Sequence, residues 1–119
     1  MQLDLLSQQY TNFDVKMAWD ITTMDSKTVI DGGIRNVLYM WMEDIEIRVD
    51  YPDANGKTVC RAADLIMPRQ LNMNDTAPFR VILQTIVPSG AKLVFTYKYH
   101  GYNGSDGTNW LQSFEANVP

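Results

Sequence analysis

Asp44-Ile45-Glu46-Ile47-Arg48-Val49-Asp50-Tyr51-Pro52-Asp53-Ala54-Asn55-Gly56 is the stretch on which the fold turns. Ile45, Ile47, Val49 and Tyr51 alternate with Glu46, Arg48 and Asp50, the two-residue period of a strand with one dry and one wet face. Pro52 cannot extend a central strand, and Asn55-Gly56 suits the positive φ of a tight reversal, so a hairpin follows with a return strand from Lys57 to about Ile66. Upstream, Phe13, Val15, Met17, Trp19 and Ile21 alternate with Asp14, Lys16, Ala18 and Asp20 and predict another half-buried strand. A polar turn over 22–27 leads to a strand from Thr28 to Asn36, in which Gly32-Gly33 marks a bulge or a close backbone approach. Residues 1–11 have no clear period and read as a frayed lead-in or a short edge segment.

Downstream, Pro68 and the polar run to Pro78 form a connection with a short strand around Leu71 and Met73. Phe79, Val81 and Leu83 define the next strand, Pro88-Ser89-Gly90 a turn, and Leu93, Phe95, Tyr97 and Tyr99 a strand whose inward face is unambiguous. Gly101 to Asn109 is glycine-rich and reads as a loop, with one last short strand at Trp110, Leu111 and Phe114. About seven strands and no sustained helical period predict a single all-β domain over 1–119, an antiparallel immunoglobulin-like β-sandwich.

Composition agrees with one packed core: 45% of the 119 residues are hydrophobic and 20% are charged. A net charge of -4 and scattered cations leave no field for a phosphate backbone, so nucleic acid is not an expected partner. Cys60 stands alone, which rules out an intramolecular disulfide and suggests a small buried hydrophobe. No apolar run is long enough to insert in a membrane, and the N-terminus lacks a signal-peptide pattern. If a leader preceded Met1 in the native chain, an extracytoplasmic location, periplasmic or membrane-tethered, is expected.

Reactive constellations are sparse. Cys60 and His100 are single occurrences, and His100 shares a strand face with Lys98 and Thr96, a solvated setting for an imidazole. One Cys and one His are too few for an ordinary zinc site. Aligning Gly56 with the glycine of a twelve-residue calcium loop puts Tyr51 first and Ala62 last, where acidic ligands belong; Asp50 and Asp53 remain as a weak non-standard pair. Glu43-Asp44 is an adjacent acidic pair, but strand neighbours face opposite ways. Neither catalysis nor a cofactor is expected from these residues.

Three blocks carry a family likeness: 29–36, with its glycine pair and asparagine; 44–57, an alternating strand ending in Asp53-Ala54-Asn55-Gly56; and 74–83, a polar turn entering a Phe79-led strand. Together they resemble the FxLYD-type immunoglobulin-like domains of bacteria over roughly 28–99. The same motifs occur in fibronectin-like and other immunoglobulin-like domains. The chain departs from the pattern at Tyr51-Pro52-Asp53 and at Arg69-Gln70-Leu71-Asn72, which has no Pro-Gly pair. The resemblance implies an extracytoplasmic binding or structural module of an envelope-associated protein, and it assigns no functional residue.

Two surfaces stand out on chemistry. Tyr39, Met40, Trp41 and Met42 combine adaptable, high-area side chains suited to another protein or to self-association, although alternation turns half of such a run inward. Tyr102 and Trp110 flank the glycine-rich segment and suggest, as an alternative, a carbohydrate or small-ligand site built on end-loop aromatics.

Overall fold

The computed structural model describes residues 2–119. A 3-10 turn over Leu3–Leu5 precedes nine strands: β1 Gln8–Thr11, β2 Val15–Met24, β3 Lys27–Asn36, β4 Trp41–Pro52, β5 Thr58–Leu65, β6 Gln70–Leu71, β7 Thr76–Leu83, β8 Lys92–Tyr102 and β9 Gly107–Asn117. One sheet runs β1-β2-β3-β7 and the other β5-β4-β8-β9, with the two-residue β6 also on β4. Every pairing is antiparallel. The count exceeds seven because residues 8–11 take the edge-strand alternative and because β6, foreseen around Leu71, is a separate short ladder.

The alternation that predicted the core delivers it. Ile45, Ile47 and Val49 of β4, Leu93, Phe95, Tyr97 and Tyr99 of β8, and Phe79, Val81 and Leu83 of β7 are all buried. Across the sandwich, Val15, Met17 and Trp19 of β2 meet them, with the Trp19 ring 4.6 Å from that of Phe95. Gly32 is a close approach and not a bulge, since the register of β3 is continuous on both sides. It lies between cross-strand neighbours Trp19 and Phe79, and a Cβ there would sit 2.8 Å from the Trp19 Cβ and 2.7 Å from the Phe79 ring. Only a missing side chain lets two large aromatics flank one strand position.

Turn chemistry sets the registers. Asp25 and Ser26 both adopt positive φ between Met24 and Lys27, as a two-residue hairpin requires. At the β4–β5 hairpin Asp53 Oδ1 accepts bonds from the Asn55 and Lys57 amides at 2.8 and 2.9 Å, and Gly56 has φ of 83°.

Three local expectations are corrected. Phe13 is 53% exposed, because the chain bends at residues 13–14 and β2 begins only at Val15. That bend turns Asp14, expected on the wet face, wholly inside. Gly101 to Asn109 is no open loop: β8 and β9 pair through Tyr102 and Gly107, leaving 103–106 as the turn, and the final strand spans eleven residues. Cys60 is half-buried, on the inner side of edge strand β5.

Candidate interaction surface

The site is built from buried polar groups upward. Asn36, at the end of β3, is fully buried and faces the return of the chain toward β4. Its Nδ2 donates to the carbonyls of Met40 at 2.9 Å and Leu71 at 3.0 Å, while its Oδ1 accepts from the Leu38 amide at 2.8 Å. The Asn36 backbone bonds Asp75 and Asn74 as well. One buried side chain thereby holds the Leu38 amide and the Met40 carbonyl of the exposed Val37–Met40 loop and ties the loop to β6.

Asp14 braces the same loop from the other side. Its carbonyl accepts the Val37 amide at 3.1 Å, and its fully buried carboxyl accepts the hydroxyls of Tyr97 and Tyr99, each at 2.7 Å. Burial, followed by the bonds to the Asp14 carboxyl, raises the pKa of both phenols well above the ordinary tyrosine range. These hydroxyls therefore stay protonated and donate.

On this braced loop Tyr39 is 92% exposed. Trp41, 38% exposed, opens β4 directly opposite Tyr102, and their rings lie 5.6 Å apart. Tyr102 is fixed in turn by its hydroxyl, which donates to the Gly104 carbonyl at 3.0 Å, and by the His100 ring, 6.4 Å away. Met40 packs beneath, since a Cβ on Gly101 would meet its sulfur at 2.5 Å. Trp41 and Tyr102 thus form an aromatic pair, and Tyr39 stands exposed two residues before Trp41 on the loop.

The sequence candidates are redistributed accordingly. Met42 is core, wholly buried, because the strand period turns it inward next to Trp41. Tyr102 and Trp110 do not converge: Tyr102 lies on the outer face with His100, whereas Trp110 is inward, opposite Tyr99 and stacked on it at 6.5 Å. Asn36 and Asp14 were missed as organisers, since a polar residue at a strand end carries no periodic signal of burial.

Other reactive groups are occupied or separated. Cys60 on β5 and His100 on β8 are parted by β4. Asp50 is bound by Arg61, with Nε 2.5 Å from Oδ1, and Asp53 caps its own turn, so the two carboxylates serve different tasks. Glu43 and Asp44 do converge, contrary to strict alternation. Asp44 has φ of 53° at a bulge where the β4–β8 register shifts, and both carboxylates reach Arg69, at 3.9 and 2.6 Å. The Arg69 hydrogen bond holds Asp44 below the usual carboxylate range. A depression of about 390 Å³ beside it is lined by Lys98, His100, Asn109 and Leu111 among others. Its ionic groups have partners: Lys98 lies 3.8 Å from Glu46, and His100 Nδ1 is 2.9 Å from Asn109 Oδ1. Among the described residues no helix is long and apolar enough to cross a membrane.

No protein-family model matches the chain, and no curated protein matches it in sequence. Among solved structures it is similar to the GAE domain of yeast GGA1, with a TM-score of 0.67 and 13% identity over 94% of this chain and 98% of that one. The GAE domain of GGA2p from Saccharomyces cerevisiae gives a TM-score of 0.62 and 10% identity, covering 94% of this chain and 96% of the other. The fold is an immunoglobulin-like β-sandwich. At such identities the likeness speaks to fold, and function must be argued from the surface.

Proposed function

We propose that this chain is a non-enzymatic protein-interaction module that grips its partner with Tyr39, Trp41 and Tyr102. The observation that carries the reading is Tyr39, almost fully exposed on a loop whose backbone is held by two buried polar residues, Asn36 and Asp14. A large amphipathic ring on a rigid support loses little conformational entropy when it docks. An unbraced loop would forfeit that advantage. The paired acids and bases around His100 and Asp44 converge on no reacting position, which supports the non-enzymatic part.

A setting in the bacterial envelope is the finer part of the proposal and is supported by the FxLYD resemblance of residues 28–99. The carbohydrate alternative loses its geometric basis, because Tyr102 and Trp110 present no common stacking face.

Photo-crosslinking from position 39 in the native host tests the reading. One discrete protein adduct is expected, lost when Trp41→Ala or Tyr102→Ala is added to the folded domain. Adducts that are absent, or indifferent to both changes, would discard these three aromatics as the contact surface.

A further inference from the structure

The four sheet edges of this sandwich are not equivalent. β1 is four residues long. β7 carries Pro78, which has no amide to donate, and its Arg80 amide is already taken by Asp64 Oδ2 at 2.9 Å. That bond also closes the seam between β7 and β5, whose half-buried Asp64 and whose Arg61 place charges on its edge. Each of these edges is blunted in a way that discourages further strand pairing. β9 is different. It runs for eleven residues, has no proline, carries Glu115 as its one ionic side chain, and pairs with β8 alone among the described residues. Roughly half of its residues therefore point backbone N–H and C=O groups at solvent.

Its inward side is unfinished too. Trp110, Gln112, Phe114 and Ala116 are each only half-buried, since the facing edge strand β1 is too short to cover them; from that side Tyr10 stacks on Phe114 at 3.7 Å and Phe13 leans on Trp110 at 5.7 Å. An added strand would finish both the ladder and this apolar row.

We propose that the added strand is β9 of a second copy, paired antiparallel about a two-fold axis at Gln112. The sequence of β9 is self-complementary in that register. Continuity of the inner face requires inward residues to pair with inward residues, which puts the axis on a residue and not between two. Gln112 is the midpoint of Gly107–Asn117, so a centre there pairs all eleven residues. It sets Trp110 across from the partner's Phe114 twice over, a favourable aromatic cross-strand pair. Glu115 then faces the partner's Asn109 and its own Lys92 at 2.9 Å, so no like charges oppose. A centre on Phe114 or Ser113 would bring Trp110 against Val118 or Ala116 and leave part of the strand unpaired.

Sedimentation of the whole chain, with circular dichroism to check folding, tests this. The expected result is a dimer whose dissociation constant rises at least about tenfold in Gln112→Lys, where two ammonium groups meet on the axis, with an unchanged β spectrum. In a Cys60→Ser background, Gln112→Cys should oxidise to a disulfide-linked dimer, because the axis puts position 112 across from itself, whereas Thr108→Cys should not. The second variant decides the matter if the lysine chain fails to fold. A monomeric wild-type protein would overturn the proposal, as would a dimer that tolerates Gln112→Lys without cross-linking at 112.

Discussion

The carboxyl of Asp14, from the bend between β1 and β2, accepts the hydroxyl of Tyr97, from β8 of the opposite sheet, at 2.7 Å in the closed interior. Tyr97 is bonded in addition by Asn12 at 3.3 Å, and Tyr99 completes the arrangement on the second Asp14 oxygen. The bond crosses from one sheet to the other and lies directly under the loop that presents Tyr39. Asp14→Ala would strand two buried hydroxyls, and a loss of about 3 kcal/mol in urea unfolding is expected. Adding Tyr97→Phe and Tyr99→Phe to it should recover part of that loss. Failure to recover any would mean the hydroxyls are satisfied by other groups.

The same two phenols set an alkaline limit. Their pKa values are raised in the fold, so the neutral forms are favoured there, and the stabilisation is complete below the unfolded tyrosine pKa of about 10. As pH climbs past that value the unfolded chain releases protons that the folded chain keeps, and stability falls. Phenolate absorbance in an alkaline titration should show two of the six tyrosines ionising only with global unfolding. Ordinary titration of all six below the unfolding transition would contradict the buried network.

Asn36→Ala removes three side-chain bonds to loop and β6 backbone and should cost about 2 to 3 kcal/mol. Hydrogen exchange at the Leu38 amide should accelerate beyond the amount global destabilisation explains. Equal protection in the variant would show that the loop holds itself.

Gly32→Ala is expected to be among the most damaging single-methyl additions, about 3 kcal/mol or enough to prevent folding, because the Cβ meets Trp19, Phe79 and the Ala18 carbonyl together. By contrast Tyr39→Ser should move stability by less than about 0.5 kcal/mol, because the ring it removes is almost wholly in solvent. A thermal-melt comparison of the two variants checks both.

Asp44 offers an acidic counterpart. Its pKa is lowered by Arg69, so the pair's contribution is present above the ordinary aspartate pKa and is lost as pH falls through the lower folded value. Carbon-detected titration should give an Asp44 midpoint below that of a model aspartate, and Arg69→Gln should return it to the ordinary range. An unchanged midpoint would show the ion pair to be absent in solution.

The sequence by itself determined the central strands and their inner faces: Ile45, Ile47 and Val49, or Leu93 to Tyr99, have one favourable way to leave water, and a two-residue period states it. It also singled out Tyr39, Met40, Trp41 and Met42 as a candidate interaction surface. Tertiary structure alone decided which of those neighbours is surface and which, Met42, is core, and why Gly32 must lack a side chain. The burial of Asp14 and Asn36, the convergence of Glu43 and Asp44 on Arg69, and the open edge of β9 likewise depend on which segments meet. Periodicity records a residue's preference between water and oil; a hydrogen-bonded polar core and an unpaired edge are properties of the neighbours, and those are chosen only when the sheets close.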